Sequence, residues 1–474
     1  MNTKIKFITV LLFIIFPCEI FSQYGSYGTV DSRSIGLAKT YTTSSNGIYA
    51  VGINPANLFQ MEEGSVELST LLPLPFISFH TGTDFLSVEQ LKYYFGGVDG
   101  KARVLTEEDK RELNSLFEKG GNLFTSFSTT LLSFALKPSI DVGSFAFTVS
   151  DFAGGNAKIP QAIVDLGLNG NYVDKKYEFN DENLSSWWIR NYGVSYAREF
   201  LFDSEDWLKQ ISAGVSFKLV HGFYFIELVK SDSYLFTDVN HQIEAKADMI
   251  GYSAFSDGFG VKYDFDSTNR QSNFSLFMPP AGKGFGFDFG LSLLSSDSWQ
   301  FSISLTDIGK INWTENAAIF KTEGKAVIND FTDQEQLDSL KDKFTGKGDR
   351  IENFSSGLAT ALRLGISRKL NDEENFLPGT MLLAFDYNQG FNNLPGNSTN
   401  PRLSLGIEWK PADWIPYLRS GVSFGGAEDF AWALGLGIYT DLLDFNFATS
   451  YFQSVISPNS SKQISLALDS RWKF

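Results

Sequence analysis

Imidazole chemistry would have to come from three histidines, His80, His221 and His241, and none has the neighbours that a catalytic motif requires. There is no His-Glu-x-x-His pair to hold a metal beside its base, no Gly-x-Ser-x-Gly nucleophile turn and no phosphate-binding loop. His221 falls in phase with Leu219 and Phe223, which predicts an interfacial side chain rather than a general base. Asp264-Phe265-Asp266-Ser267-Thr268 begins like a calcium loop but lacks the glycine and terminal glutamate that would complete it. No catalytic, cofactor or metal residue is expected. Ser-His or Asp-His pairs assembled from separate strands leave no trace in spacing, so an enzyme stands as the third reading behind two non-catalytic ones.

What the sequence does space regularly is charge among small residues. Phe285, Phe287, Phe289, Leu291 and Leu293 alternate with Gly284, Gly286, Asp288, Gly290 and Ser292. Leu403, Leu405, Ile407 and Trp409 alternate with Ser404, Gly406, Glu408 and Lys410, and the stretches around Lys218 and Leu434 read the same way. Period two means strands with one bulky apolar face and one small or polar face. A soluble sandwich would show water a face rich in Thr, Lys and Glu. Gly, Ser and Ala on the second face suit a transmembrane barrel, greasy outside and small within. The phase directs Lys218, Asp288, Arg363, Asp386, Glu408, Lys410, Arg419, Asp469, Arg471 and Lys473 into the lumen, where charges must be hydrated or paired.

Composition agrees with that architecture. The 474 residues hold 45 Phe and 42 Gly with one Cys, and 39 basic against 55 acidic residues give a net charge of −16. Such an acidic chain is an unlikely match for a phosphate backbone, so no nucleic-acid partner is expected. Lys4 and Lys6 precede an apolar run from Phe7 to Pro17, which predicts a signal peptide over residues 1–22, cleaved near Ser22. Cys18 would leave with it; Pro17 stands where a lipid-attachment motif needs a small residue. Turn-forming segments at 138–142, 202–208, 295–298, 371–379, 411–414 and 440–443 alternate with longer connections. They delimit about 14 strands, or 16 if Tyr234–Phe236 and Gln242–Tyr252 add a hairpin. The chain ends within its last strand at Trp472 and Phe474, which resembles the C-terminal assembly signal of outer-membrane proteins and implies the barrel-assembly machinery as a partner.

Residues 24–57 are rich in Gly, Ser, Thr and Asn without sustained periodicity, and need a surrounding wall to order them. Two helices are expected on long loops, one after Thr106 with Leu113, Leu116 and Phe117 on its apolar stripe. The other follows the capping box Thr332-Asp333-Gln334-Glu335 and carries Leu337, Leu340 and Phe344. Each stripe is narrow enough to be satisfied by packing on neighbouring loops.

Ser34-Ile35-Gly36-Leu37-Ala38, Asn46-Gly47-Ile48-Tyr49-Ala50 and Asn54-Pro55-Ala56-Asn57-Leu58 together resemble the hatch segment of FadL-like outer-membrane barrels. Gly284–Gly290, Leu305–Trp313 and the stretch from Leu418 to Phe474 resemble an uncharacterised Bacteroidetes branch with PorV-like relatives. The resemblance implies an all-β fold: an antiparallel barrel in lipid, residues 63–474, with a luminal plug over residues 23–62 that includes Gly36, Gly47, Asn54, Pro55 and Ala56. It also implies passage of small hydrophobic molecules, or else a non-transporting barrel that docks a secreted or surface protein through its loops. Gly and Ala at inward positions leave room for either a plug or a path.

Overall fold

The computed structural model describes residues 31–97, 103–118, 121–180, 183–202, 207–261, 275, 277–328, 347–371, 374, 377–426 and 430–474. The signal segment with Cys18, the run 264–268 and the capping box at 332–335 lie outside the described residues.

Fourteen antiparallel strands form the wall. Strand β1 comes in two pieces, Val66–Thr70 and Phe76–Thr83. It is followed by β2 (Gly121–Ser139), β3 (Gly143–Ile159), β4 (Asn183–Leu201), β5 (Leu208–Ser231), β6 (Gly282–Ser295) and β7 (Trp299–Trp313). The second half comprises β8 (Ala361–Leu370), β9 (Thr380–Gly390), β10 (Arg402–Lys410), β11 (Tyr417–Gly425), β12 (Phe430–Tyr439), β13 (Leu443–Thr449) and β14 (Gln463–Lys473). Each strand pairs with the next in sequence, and β14 returns to β1 through Leu68↔Trp472 and the run Ile77↔Leu468 to Gly82↔Gln463. The sheet is therefore closed, which removes the unpaired edges that an open sheet would carry into lipid.

The alternation in sequence explains the radial sorting. Phe285, Phe287, Phe289 and Leu291 on β6, and Leu403, Leu405 and Ile407 on β10, are exposed, while Asp288 and Glu408 between them are buried. Trp207, Trp414 and Phe474 ring the short-turn end on the outside, and outward Tyr192 meets His221 edge-on at 5.0 Å toward the other end. An apolar belt between aromatic girdles is the exterior of a membrane-spanning barrel.

Several strands run past that belt at the long-loop end. The top of β5 pairs with Ile243–Phe255, which pairs in turn with Tyr234–Thr237 and Ala318–Ile328. The extra hairpin expected over residues 234–252 is thus present, but it extends the sheet above the wall, and the wall count stays at fourteen. The Thr106-capped helix, Glu107–Leu116, packs Leu113 and Phe117 against Phe85, Leu86 and Tyr94. Two further helices at this end, Val88–Phe95 and Gln161–Asn169, are too short to show a periodic signature in sequence.

Candidate functional site

Residues 31–61 occupy the lumen, and none of them is exposed. Three short helical turns, Ser32–Gly36, Gly47–Ala50 and Pro55–Phe59, fold the segment back on itself. Asp31 caps the first by accepting from Ser34 N, and Asn54 caps the third by accepting from Ala56 N. Asn57 ties the turns together by donating to the Thr42 and Thr43 carbonyls at 2.9 and 3.1 Å. The segment's own apolar residues Leu37, Tyr41, Ile48, Tyr49 and Leu58 cluster with Ala135, Ala146 and Ala197 of the wall.

The wall's small residues are where the segment presses closest. A Cβ on Gly421 would sit 2.4 Å from the Leu37 carbonyl carbon, and one on Gly290 would sit 2.0 Å from Asn54 Oδ1. At Gly421 on β11 backbone meets backbone, so only glycine fits, and at Gly290 on β6 the Asn54 side chain fills the space a Cβ would need.

Four wall carboxylates fasten the segment. Arg33 donates from Nε and Nη2 to the two oxygens of Glu408, both at 2.8 Å, and Arg419 Nε donates to the same carboxylate at 2.6 Å. Asp469 accepts from Ser32 N at 2.8 Å and from the Tyr49 hydroxyl at 2.7 Å. Asp386 Oδ2 accepts from Tyr41 N, Thr42 N and Thr42 Oγ1, each at 2.7 Å. Glu67 accepts from Ile48 N at 2.9 Å and from Arg471 at 3.0 Å, while Arg471 also donates to Asn46 and Asp444. Charge-assisted bonds of this kind are stronger and more directional than neutral ones, and those through Glu408, Asp469 and Asp386 join strands distant in sequence from the segment.

A second layer lies nearer the long-loop end. Lys218 Nζ reaches Asp288 at 2.9 Å and Asp307 at 2.6 Å, and Asp307 N donates to Asp288 Oδ1. Arg363 is buried close enough to Asp386 and Asp307 to feel their charge. Above this layer the aromatic residues Trp187, Phe225 and Trp313 fill the lumen with Leu358 and Leu394. Below the segment, at the short-turn end, a cavity of about 720 Å³ opens among polar side chains.

Of the residues singled out in the sequence, Lys218, Asp288, Arg363, Asp386, Glu408, Arg419, Asp469 and Arg471 are all buried within the barrel. Glu408, Arg419, Asp469, Arg471 and Asp386 meet the inner segment or its partners, whereas Lys218 and Asp288 form a separate cluster. Lys410 and Lys473 stand at the mouth, the first donating to turn carbonyls and the second paired with Asp444. Gly36 lies against Gly435; Gly47 beside Glu67; Asn54, Pro55 and Ala56 against β5 and β6. Trp472 and Phe474 stack on the outside. Sequence reading missed Arg33, Glu67, Asp307 and Asp444, and also the pairs Arg190–Asp151 and Lys137–Glu199. Glu67 and Asp444 share the inward phase of Ser69 and Asn446 and were open to the same reasoning; Arg33 has no periodic neighbours to locate it.

A profile of the family of unknown function DUF5723 matches residues 66–450, nearly the whole wall. The chain belongs to DUF5723. Among curated proteins no relative matches this DUF5723 chain. Solved structures similar to it include the toluene transporter TbuX of Ralstonia pickettii, at 12% identity and TM-score 0.43 over 95% of this chain and 98% of that one. The toluene transporter TodX of Pseudomonas putida gives 11% and 0.43 over 96% and 99%. A Pseudomonas aeruginosa FadL homologue gives 11% and 0.44 over 95% and 99%. The closed wall of this chain rests on its own strand pairing.

Proposed function

We propose that this chain is a Gram-negative outer-membrane barrel, exported by residues 1–22 and inserted by the barrel-assembly machinery. In this reading residues 23–62 form a hatch, and small hydrophobic molecules pass when the hatch shifts. The long loops then face outward and the short turns face the periplasm. The observation that carries the reading is the layering of the lumen. An aromatic layer lies on the outer side, a segment held by polar side chains crosses the middle, and a polar cavity lies beneath it. An apolar solute is favoured in the first layer, stopped by the second and released to water from the third. The lumen is packed in this state, so passage needs hatch movement.

The test is a lock. A Cβ on Gly406 would lie 3.0 Å from Thr40 Cβ, about 0.5 Å short of the ~3.5 Å lower limit of a disulfide, so a small outward shift of either chain allows the bond. Oxidised T40C/G406C should stop uptake of a monoaromatic solute into vesicles with a lipopolysaccharide leaflet, and reductant should restore it. Equal flux with and without the unmodified protein would remove passage from the account.

One observation favours a second reading, a sealed barrel that docks a secreted or surface protein. Leu91, Tyr93 and Phe95 project from the Val88–Phe95 helix at the long-loop end, and Phe95 is 63% exposed. Loss of a cell-surface partner on L91S/F95S, with solute flux absent throughout, would favour docking.

A further inference from the structure

The cavity of about 720 Å³ at the short-turn end differs in charge from the molecule around it. The chain as a whole carries a net charge of −16. Five cations line the cavity, Arg33, Lys209, Lys369, Lys410 and Arg471, against two carboxylates, Glu62 and Glu408. Lys209 and Lys369 are exposed on its rim, at the start of β5 and the end of β8. Among the described residues, the turn carboxylates Asp297 and Asp413 do not line it. Salt screens such solvated charges over about 8–10 Å, so the field inside is set by the groups on the wall. Leu294, Met381 and Leu382 give one side of the chamber an apolar patch.

Two of the cations do more than line the space. Arg33 belongs to the inner segment and is held by Glu408, while Arg471 holds Asn46 and Glu67. Both guanidiniums and Glu408 itself border the cavity. The fastenings through Asp469 and Asp386 lie away from it and are wholly buried. A solute in the chamber therefore touches one set of contacts that keep the segment in place and is kept from the others. A guanidinium presents a fork that matches a carboxylate or phosphate, so an anion arriving there offers Arg33 the same geometry as Glu408.

We propose that this chamber binds a small organic anion bearing a carboxylate or phosphate, admitted from the short-turn face, and that the bound anion competes with Glu408 for Arg33 and loosens the inner segment. Lys209 and Lys369 draw the anion in, and Arg33 and Arg471 receive it. The inference rests on the hatch reading of residues 31–61 and holds whether or not any solute crosses the barrel.

Calorimetric titration of the full mature chain in detergent tests it, with citrate and inorganic phosphate as probes and sucrose as the uncharged control. Saturable binding of either anion is expected, weakened at least tenfold in K209Q/K369Q and unchanged in K92Q at the opposite end. Citrate alone binding would identify a carboxylate ligand, phosphate alone a phosphate-bearing one. Amide hydrogen exchange over residues 32–48 should quicken when the anion saturates. Absence of saturable heat, equal affinity in K209Q/K369Q, or sucrose binding as well as the anions would overturn the site. Exchange indifferent to bound anion would overturn the competition with Glu408. None of these readouts depends on flux, so failure here is distinct from failure of the passage reading.

Discussion

Glu408 shows how a single luminal side chain can decide whether the inner segment stays in place. Its carboxylate is shared by Arg33 from the segment and Arg419 from the wall, and all three groups are buried. A buried ion pair is a poor source of net stability, because desolvation offsets most of the attraction, but removing one partner strands the other charge. Glu408→Gln leaves two guanidiniums facing a neutral amide and is expected to cost about 3–5 kcal/mol. Arg419 keeps Asn446 and Tyr439 as acceptors, whereas Arg33 keeps only the Ser44 carbonyl of its own segment, so the lost tie to the wall is that of Arg33. Limited proteolysis should then cut within residues 31–61 while the wall stays intact; a variant as resistant as the parent would show that Arg33–Glu408 does not hold the segment. The inward position of Glu408 is legible because Leu405, Ile407 and Trp409 alternate with it. That of Asp307 is not. A bulge opposite Asp288 gives Asp307 a φ of 58° and turns both Thr306 and Asp307 inward, so counting by twos from Leu305 points Asp307 at lipid. The same slip reverses the facing of Ile311 and Trp313, which build the aromatic layer.

At the scale of elements, regular strands are readable and the pieces that depend on contact are not. Strand β3 continues to Ile159 and β4 begins at Asn183, both beyond where apolar alternation fades, because above the belt the backbone pairing runs through polar positions such as Asn156↔Ser185. The Gln161–Asn169 helix, also beyond the belt, packs Val164 and Leu168 against the Leu113 cluster and is tied to its neighbours by one carboxylate. Asp165 accepts from Lys175 and from Asn169 Nδ2, the latter at 2.8 Å, clamping the helix to the strand Lys175–Glu178. Burial by itself would raise the Asp165 carboxyl, but the Lys175 ammonium and the Asn169 amide outweigh it and hold it below the ordinary carboxylate value. A depressed folded value means that the clamp contributes fully above the unfolded pKa of about 3.9 and is lost as pH falls through the lower folded one. Pepsin cleavage between residues 161 and 178 should therefore be faster in D165N than in the parent at pH 5, with the gap closing toward pH 2. A gap that persists at the acid end would mean that Asp165 acts through its shape rather than its charge.

For the whole molecule, the decisive question is where the wall closes. Most neighbouring strands share long, continuous registers, as β6 does with β5 from Gly282↔Gly222 to Leu294↔Gln210. The seam between β1 and β14 is different: it is interrupted between Leu68↔Trp472 and Ile77↔Leu468, where the two pieces of β1 part. Its short-turn end is held by reciprocal bonds between Val66 and Phe474, each 2.8 Å from nitrogen to oxygen. The last three residues thus complete both the pairing with β1 and, through Leu443↔Trp472, that with β13. An unclosed seam leaves backbone donors and acceptors facing hydrocarbon, at several kcal/mol for each unsatisfied group. The penalty is concerted, since the belt can enter lipid only once the ends have met. Deleting residues 472–474 should leave the chain uninserted and without the fast-migrating folded band in unheated electrophoresis. Trp414→Ala, which removes an 84% exposed girdle residue but no pairing, should keep that band. If the truncated chain shows as much folded band as the parent, closure is driven by the interior strands and the inner segment, and the C-terminal residues serve recognition alone. A mid-belt charge separates the two contributions. Phe289→Lys leaves the seam complete but puts an ammonium opposite Val215 near the middle of the belt, at about 2–4 kcal/mol. It should lower the folded fraction by weakening the lipid contact, while the truncation should abolish it by preventing closure.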